Sequence, residues 1–543
     1  VTTERPSQRP PNRQLAALIS EAGFSNAGLA RRVDQLGLEH GLDLRYDKTS
    51  VTRWLRGQQP RGTTPALIAE VFTRRLGRRL TAQDLGLDAC APVYAGLEFA
   101  STPAEAIDIV SGLWRKDTGS QAELRKIAFT PAGLVVPSRD WLIGRPDDKV
   151  ARELQQRATG VPSPGPPGGG PGPVGAVAGP PGGVRVPAQG RGPGVGAGGG
   201  VAVGTPPGGG PGPGGPGGPG GGAGGRGDPG PGWGGPGARA PGQRVTQGDI
   251  GAMRSVAEMF RALDNAYGGG HARQALVRYL EHEVEPMLRG TYNEATGRRL
   301  FSAAADLTRL AGWTSYDIAA HGLAQRYFVQ ALRLAQASGD RAYGSYVLVT
   351  MSRQAVYLGH GREAVQLARV AQQGVGGGVP PVVQALLHAA EARGHGLLGE
   401  VRACTTSLAR AERALESARP GEEAPHWARF FDEAQLADEF GHCHRDLQQY
   451  RAAAQHAERS LQLRAAGFAR SRVFCRLVLA AARLGLGELE QACVLGAEAA
   501  QQAAEMRSAR AAEYVRDFER RLEPYRDAPP VRAYRERVAA LAV

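Results

Sequence analysis

The run from Gly160 to Gly242 constrains this chain more than any other segment. It is built almost only of Gly, Pro, Ala and Val, and it holds about half of the 77 glycines. Glycine loses the most backbone freedom on ordering and proline removes a backbone donor, so a stretch without apolar side chains has nothing to offset the entropy of folding. Residues 160–247 therefore read as a disordered Gly/Pro-rich linker. A collagen-like register fails, because the Gly-X-Y period breaks repeatedly, as at Gly168-Gly169-Gly170. At roughly 5–6 Å times √n, some 80 residues span roughly 50 Å on average, so two folded parts on either side are expected to move almost independently.

The chain carries 65 Lys and Arg against 52 Asp and Glu, a net charge of +13. Such a balance favours polyanionic partners, nucleic acid ahead of an anionic membrane surface. Five scattered cysteines without a Cys-x-x-Cys pair describe neither a disulfide framework nor a zinc site, which fits a reducing compartment. Val1 to Asn12 is polar and lacks the apolar stretch of a signal peptide, and no window reaches the ~18 apolar residues of a membrane span. The expectation is a soluble, cytoplasmic protein with no membrane partner.

Residues 12–87 form a compact basic unit, and residues 1–87 hold fourteen Lys and Arg against eight Asp and Glu. Leu15, Leu18, Ile19 and Ala22 fall on one face of a first helix that stops at Gly23. Ser25 caps a second helix with Leu29, Ala30, Val33 and Leu36 as its apolar stripe, leaving Arg31 and Arg32 elsewhere. Asp47 caps a short third helix that Val51, Trp54 and Leu55 anchor, leaving Lys48, Thr49, Ser50, Thr52 and Arg53 outward before Gly57. Thr64-Pro65 starts a fourth helix, and Thr81-x-x-Asp84 caps a fifth.

The runs Ile19-Ser-Glu-Ala-Gly-Phe-Ser-Asn-Ala-Gly-Leu-Ala-Arg-Arg-Val33 and Ser50-Val-Thr-Arg-Trp-Leu-Arg-Gly57 resemble the XRE-type, phage-repressor-like helix-turn-helix. The resemblance covers about 75 residues and implies binding to double-stranded DNA. It implies base reading by Thr49, Ser50, Thr52 and Arg53, and backbone contacts by Arg31, Arg32, Arg45, Lys48 and Arg56. One departure is the link Gly37 to Tyr46, longer than the usual tight turn. Either the second helix is extended or the loop makes its own contacts through Arg45.

Residues 88–159 form a small mixed segment of unknown role. Thr102 and Pro103 open a helix running to Trp114, and Gly133-Leu-Val-Val136 reads as a short strand.

Residues 248–540 are helical in pattern. Ala324, Ala364, Ala403, Ala453 and Ala492 recur at intervals of 40, 39, 50 and 39, most with a glycine shortly upstream, at Gly322, Gly361, Gly399 and Gly487. Small residues at such a period let paired helices approach, which resembles the second-helix signature of tetratricopeptide repeats, with Gly312 and Gly441 as first-helix counterparts. A generic Ala-rich helical bundle is the competing fold. Asp249 to Arg289 reads as two helices separated by Gly268-Gly269-Gly270, which cap or begin the array. A curved stack of hairpins implies a concave groove for a peptide or protein segment. Tyr316, Tyr343, Tyr346, Arg353, Trp427 and Phe431 are its candidate lining.

The fold class is thus mainly α: a helix-turn-helix head, a disordered linker and a tetratricopeptide-like α-superhelix. The combination resembles the actinomycete XRE-type regulators with a C-terminal tetratricopeptide-repeat domain, the NsdA-like group, which implies control of development or secondary metabolism, commonly as a repressor. A homodimer stays open. The alternative function is an adaptor that does not bind DNA, whose basic head meets an acidic partner.

No nucleophile, carboxylate pair or phosphate-binding glycine loop is recognisable, so neither an enzyme nor a cofactor is expected. Gly441-His442-Cys443-His444 invites a metal reading, but adjacent residues on one helix point in different directions. No metal is expected. Gly394, Gly396 and Gly399 lack the Lys-Ser/Thr of a phosphate loop and read as a turn.

Overall fold

The computed structural model describes residues 10–39, 44–60, 64–78, 80–88, 96–117, 119–152, 243–419 and 423–541. The expected linker lies almost wholly outside them. Among the described residues the secondary structure is helical, with two isolated β-bridges and no strand.

The head holds α1 (Arg13–Glu21), α2 (Asn26–Glu39), α3 (Lys48–Leu55) and α4 (Thr64–Leu76). Its core is its own, made of Leu15, Leu18, Leu29, Val33, Val51, Trp54, Leu67, Phe72 and their neighbours up to Leu87. Asn12 caps α1 and also donates from Nδ2 to the carbonyls of Leu85 and Gly86 at 2.8 and 3.1 Å, tying the two ends of the head together. The second helix is indeed extended, to Glu39. The fifth helix expected at Thr81 is only a turn. Thr81 and Asp84 exchange the capping hydrogen bonds, but the segment ends at Gly86, whose φ of +64° breaks it.

Residues 96–152 carry α5 (Pro103–Lys116), α6 (Gln121–Leu124) and α7 (Val135–Ile143). Thr102 caps α5 with Pro103 at its first position, as the sequence predicts. The strand expected at Gly133 to Val136 is instead a 3₁₀ turn, Pro131–Leu134, running into α7. Among the described residues no strand offers it a ladder, and Pro131 and Pro137 sit at helix-compatible first-turn positions.

After it come α8 (Gln247–Tyr267), α9 (Arg273–Tyr279) and α10 (Glu285–Leu288), then five helical hairpins. These are α11 (Glu294–Asp317) with α12 (His321–Ser338), α13 (Arg341–Tyr357) with α14 (Gly361–Val375), α15 (Pro381–Leu397) with α16 (Val401–Glu416), α17 (Glu433–Asp446) with α18 (Tyr450–Leu463), and α19 (Ala469–Gly485) with α20 (Leu489–Ala504). The chain ends in α21 (Ala509–Leu522) and α22 (Pro529–Leu541), packed on α19 and α20.

The small-residue period falls on the second helix of each hairpin. Ala324, Ala364, Ala453 and Ala492 are fully buried, and in the third hairpin Cys404 takes that place while Ala403 sits one position off it. A second period runs through the turns. Ala319, Gly359, Gly399, Gln448 and Gly487 all have positive φ, between +59° and +85°. The sequence shows only the three glycines. Gly312 marks a close approach, because a Cβ there would stand 2.6 Å from the Phe328 ring.

The segment 96–152 is strapped along α12 and α14. Arg333, buried, donates to the Ala100 carbonyl at 2.6 Å and grips both oxygens of Asp147 at 2.7 and 3.0 Å. Gln325 exchanges two hydrogen bonds with the Thr130 backbone, and Asp117 accepts from Arg273 and Tyr327. Trp141, fully buried, fills the space over Gly344 and Gly374, where a Cβ at either would overlap its indole. The hydrogen bonds of Arg333, Gln325 and Asp117 pair buried polar groups across the strap, whereas the Trp141 indole anchors it by packing alone.

The array also closes on itself. α8 packs against α11 at one side and α19 at the other. Arg470 on α19 meets both oxygens of Asp264 on α8 at 2.6 and 2.7 Å, and the backbones of Tyr267, Gly270 and Arg507 are joined by hydrogen bonds of 2.9 Å.

Candidate functional site

Two places carry exposed or unpartnered chemistry. The first is on the head. Asp47 caps α3, its carboxylate accepting from the Ser50 backbone at 2.8 Å, which holds that carboxyl below its usual range. The Tyr46 backbone donates to Asp34 of α2 at 2.9 Å, and the Tyr46 ring meets Trp54 edge-on at 5.1 Å. These contacts fix α3 against α2 and turn its other side outward. Ser25, Asn26 and Ala27 from the start of α2 then line one shallow concavity with Lys48, Thr49, Thr52, Arg53 and Arg56. Its lining contains three basic side chains and no carboxylate.

Of the four expected base readers, Thr49, Thr52 and Arg53 lie there, and Ser50 does not. Ser50 is buried, and its hydroxyl donates to Asp47 at 2.9 Å and accepts from Arg53 at 3.2 Å, so it orients the helix rather than facing outward. Lys48 and Arg56 also line the concavity. Arg32 is drawn away, its guanidinium 4.9 Å from the centre of the Phe24 ring. Arg31 and Arg45 are exposed but outside the lining.

The second place is a cavity of about 460 Å³ inside the closed array, walled by α8, the first helices of the hairpins and α21. Tyr316, Tyr346, Arg353 and Trp427 of the expected groove line it. Tyr343 and Phe431 do not. Tyr343 is buried with its hydroxyl donating to Asp306 at 2.9 Å, and Phe431 is 1% exposed in the core. Trp427 stands on a 3₁₀ turn, His426–Ala428, before α17 and stacks on Tyr346 at 5.0 Å.

The sequence did not single out Arg510 on this wall. Arg510 of α21 is 7% exposed and lies among four rings, with Tyr316 at 4.1 Å, Phe474 at 4.8 Å, Trp313 at 5.4 Å and Tyr357 at 5.5 Å. Trp313 and Tyr316 share α11, but Tyr357, Phe474 and Arg510 come from three other helices, so no single spacing announces the cluster. Its Nε and Nη1 have no hydrogen-bond partner, Asp317 being 3.7 Å away and engaged with Gly269, Ser508 and Arg470. Arg393 and Arg353 share one carboxylate, Glu439, and Arg393 Nε is likewise unpartnered. His442 is held well below its usual pKa by burial and by Arg393, Arg445, Arg353 and Arg510. Burial comes first among these causes, and the guanidinium groups act in the same direction, so the imidazole is held neutral.

The three residues of His442-Cys443-His444 part ways: His442 lines the cavity, Cys443 packs on Cys404, and His444 stacks on His456. Among the described residues no group of three metal-ligating side chains converges. Gly394 and Gly396 lie near the end of α15 rather than at a helix start, and serve close packing against Val365 and Cys443. No described helix is long and apolar enough to cross a membrane.

Residues 15–88 match the family model of the SP15 N-terminal domain, which coincides with the head. No curated protein and no solved structure matches the chain.

Proposed function

We propose that this chain is a sequence-specific DNA-binding transcriptional regulator whose head is a helix-turn-helix and whose array is a tetratricopeptide-like superhelix that binds a ligand. One observation carries the DNA reading: the carboxylate-free concavity formed by the start of α2 and the outward face of α3. A helix N-terminus favours a phosphate through its dipole and first N–H groups, and an adjacent basic helix of two turns fits a major groove. Thr49, Thr52 and Arg53 read bases, with Lys48 and Arg56 on the backbone. Ser50 is removed from the reading set because its hydroxyl belongs to the cap.

The array's cavity and its turns, which recur at intervals of 40, 40, 49 and 39 residues, support its reading as a ligand-binding repeat array. The resemblance to actinomycete regulators adds control of development or secondary metabolism as the process. Selection of bound duplexes from a random pool by the full chain tests this proposal. Enrichment of one motif, with affinity falling steeply as salt rises, is the expected result. Retention of duplexes without any motif, or of none, contradicts it.

A further inference from the structure

The array's cavity holds more positive character than its own carboxylates neutralise. Ring faces lie against the Arg510 guanidinium, which stabilises the cation but leaves Nε and Nη1 without a hydrogen bond. Its donors lie in the guanidinium plane, so only a group arriving at that edge completes them. Arg393, on α15, lines the same cavity with a second unpartnered Nε. A buried donor left unsatisfied costs stability, and a fold that keeps two such arginines in one cavity has a reason outside its own packing.

We propose that the cavity binds an organic carboxylate on a flat apolar body, with the Arg510 guanidinium edge and Arg393 receiving the carboxylate and the aromatic wall receiving the body. About 460 Å³ suits a ligand of small-molecule size or the last residues of a peptide. Planar, bidentate recognition is what arginine offers a carboxylate and lysine does not. The stacked pair Tyr346 and Trp427 and the neighbouring Phe430 supply apolar faces on another side of the cavity. The proposal deepens the reading of the array as the ligand-binding part and does not depend on DNA recognition by the head.

Thermal melting of the full chain with benzoate, 2-naphthoate and the diphenylalanine dipeptide, each beside its primary amide, tests it. At least one acid is expected to raise Tm with saturation while its amide leaves Tm unchanged, and Arg510→Gln and Arg393→Gln are each expected to weaken that binding at least tenfold. Preference for naphthoate assigns a small organic acid, and preference for the dipeptide assigns a peptide C-terminus. If Arg510→Gln fails to fold, Arg510→Lys makes the same comparison, because it keeps the charge and loses the planar edge. No shift with any of the three acids, an equal shift from the amides, or an unchanged affinity in the Arg510 variant overturns the proposal. Duplex binding measured on the same samples separates the two readings: its loss with the thermal shift intact refutes the head's role and leaves the cavity's.

Discussion

The head and the array solve the burial of polar groups in opposite ways. In the head the buried polar side chains Asn12, Ser50 and Thr64 are uncharged, and the arginines and the lysine of α2 and α3 stand in solvent. In the array, Arg309, Arg333, Arg470 and Arg510 are buried together with Asp264, Asp306 and Asp317. A small domain has too little core to absorb the desolvation of ion pairs, whereas a stack of hairpins has room for networks that pair most charges and leave a few unpaired. The chemistry of the head is therefore on its surface, and that of the array is inside.

The largest test of this contrast compares two tryptophans. Trp54→Ala is expected to cost roughly 3–5 kcal/mol of the head's stability, and Trp141→Ala a similar amount from the array, since each removes a buried ring. Melting followed separately in each part checks it, and the Trp54 variant alone is expected to lose duplex binding. Next comes the closure of the array. Arg470→Leu is expected to destabilise it by about 3–5 kcal/mol, because Asp264 is left charged and buried. Adding Asp264→Leu to it is expected to recover most of that loss, as chemical denaturation of the single and double variants will report.

Acid separates the parts by a different route. In the array His442 is pushed well below its usual pKa, and His321 and His456 are pushed down to about 4, burial being the first cause in each. Unfolding restores their ordinary values near 6.5, so below that pH the unfolded chain binds more protons than the folded one. Stability is full above about pH 6.5 and is expected to fall as pH drops toward 4, by up to about 1.4 kcal/mol per unit for His442 alone. The head holds one histidine, His40, and the array holds the other ten, so the head's melting is expected to change less over that interval. The smallest effect is in the hairpin turns. Ala319→Gly and Gln448→Gly are each expected to stabilise the array by roughly 0.5–1 kcal/mol, because both side chains occupy left-handed backbone that glycine adopts without strain.

The same contrast explains what the sequence revealed. The outward face of α3 was legible because Val51 and Trp54 mark the inward face at helical spacing, and only Ser50 escaped, through a capping bond that periodicity does not encode. The period of the hairpins was legible in its buried alanines and slipped by one residue where Cys404 substitutes. The lining of the cavity was half legible: Tyr316, Tyr346, Arg353 and Trp427 reach it, while Arg510, Arg393 and His442 come together only after the array closes. The strap 96–152 was illegible for a similar reason. Its anchors, Trp141, Asp117 and Asp147, acquire meaning from Gly344, Arg273 and Arg333, each more than a hundred residues away.

The central claim is that the outward face of α3 reads base sequence. Its most direct measurement is the affinity of Arg53→Ala and of the triple variant Thr49→Ala, Thr52→Ala, Arg53→Ala for the selected duplex and for a scrambled one, at several salt concentrations. Arg53→Ala is expected to lose roughly 1–3 kcal/mol on the selected duplex and little on the scrambled one. The triple variant is expected to bind both duplexes equally, with the helical fold and melting of the head retained. A triple variant that still prefers the selected duplex by the original ratio contradicts the claim.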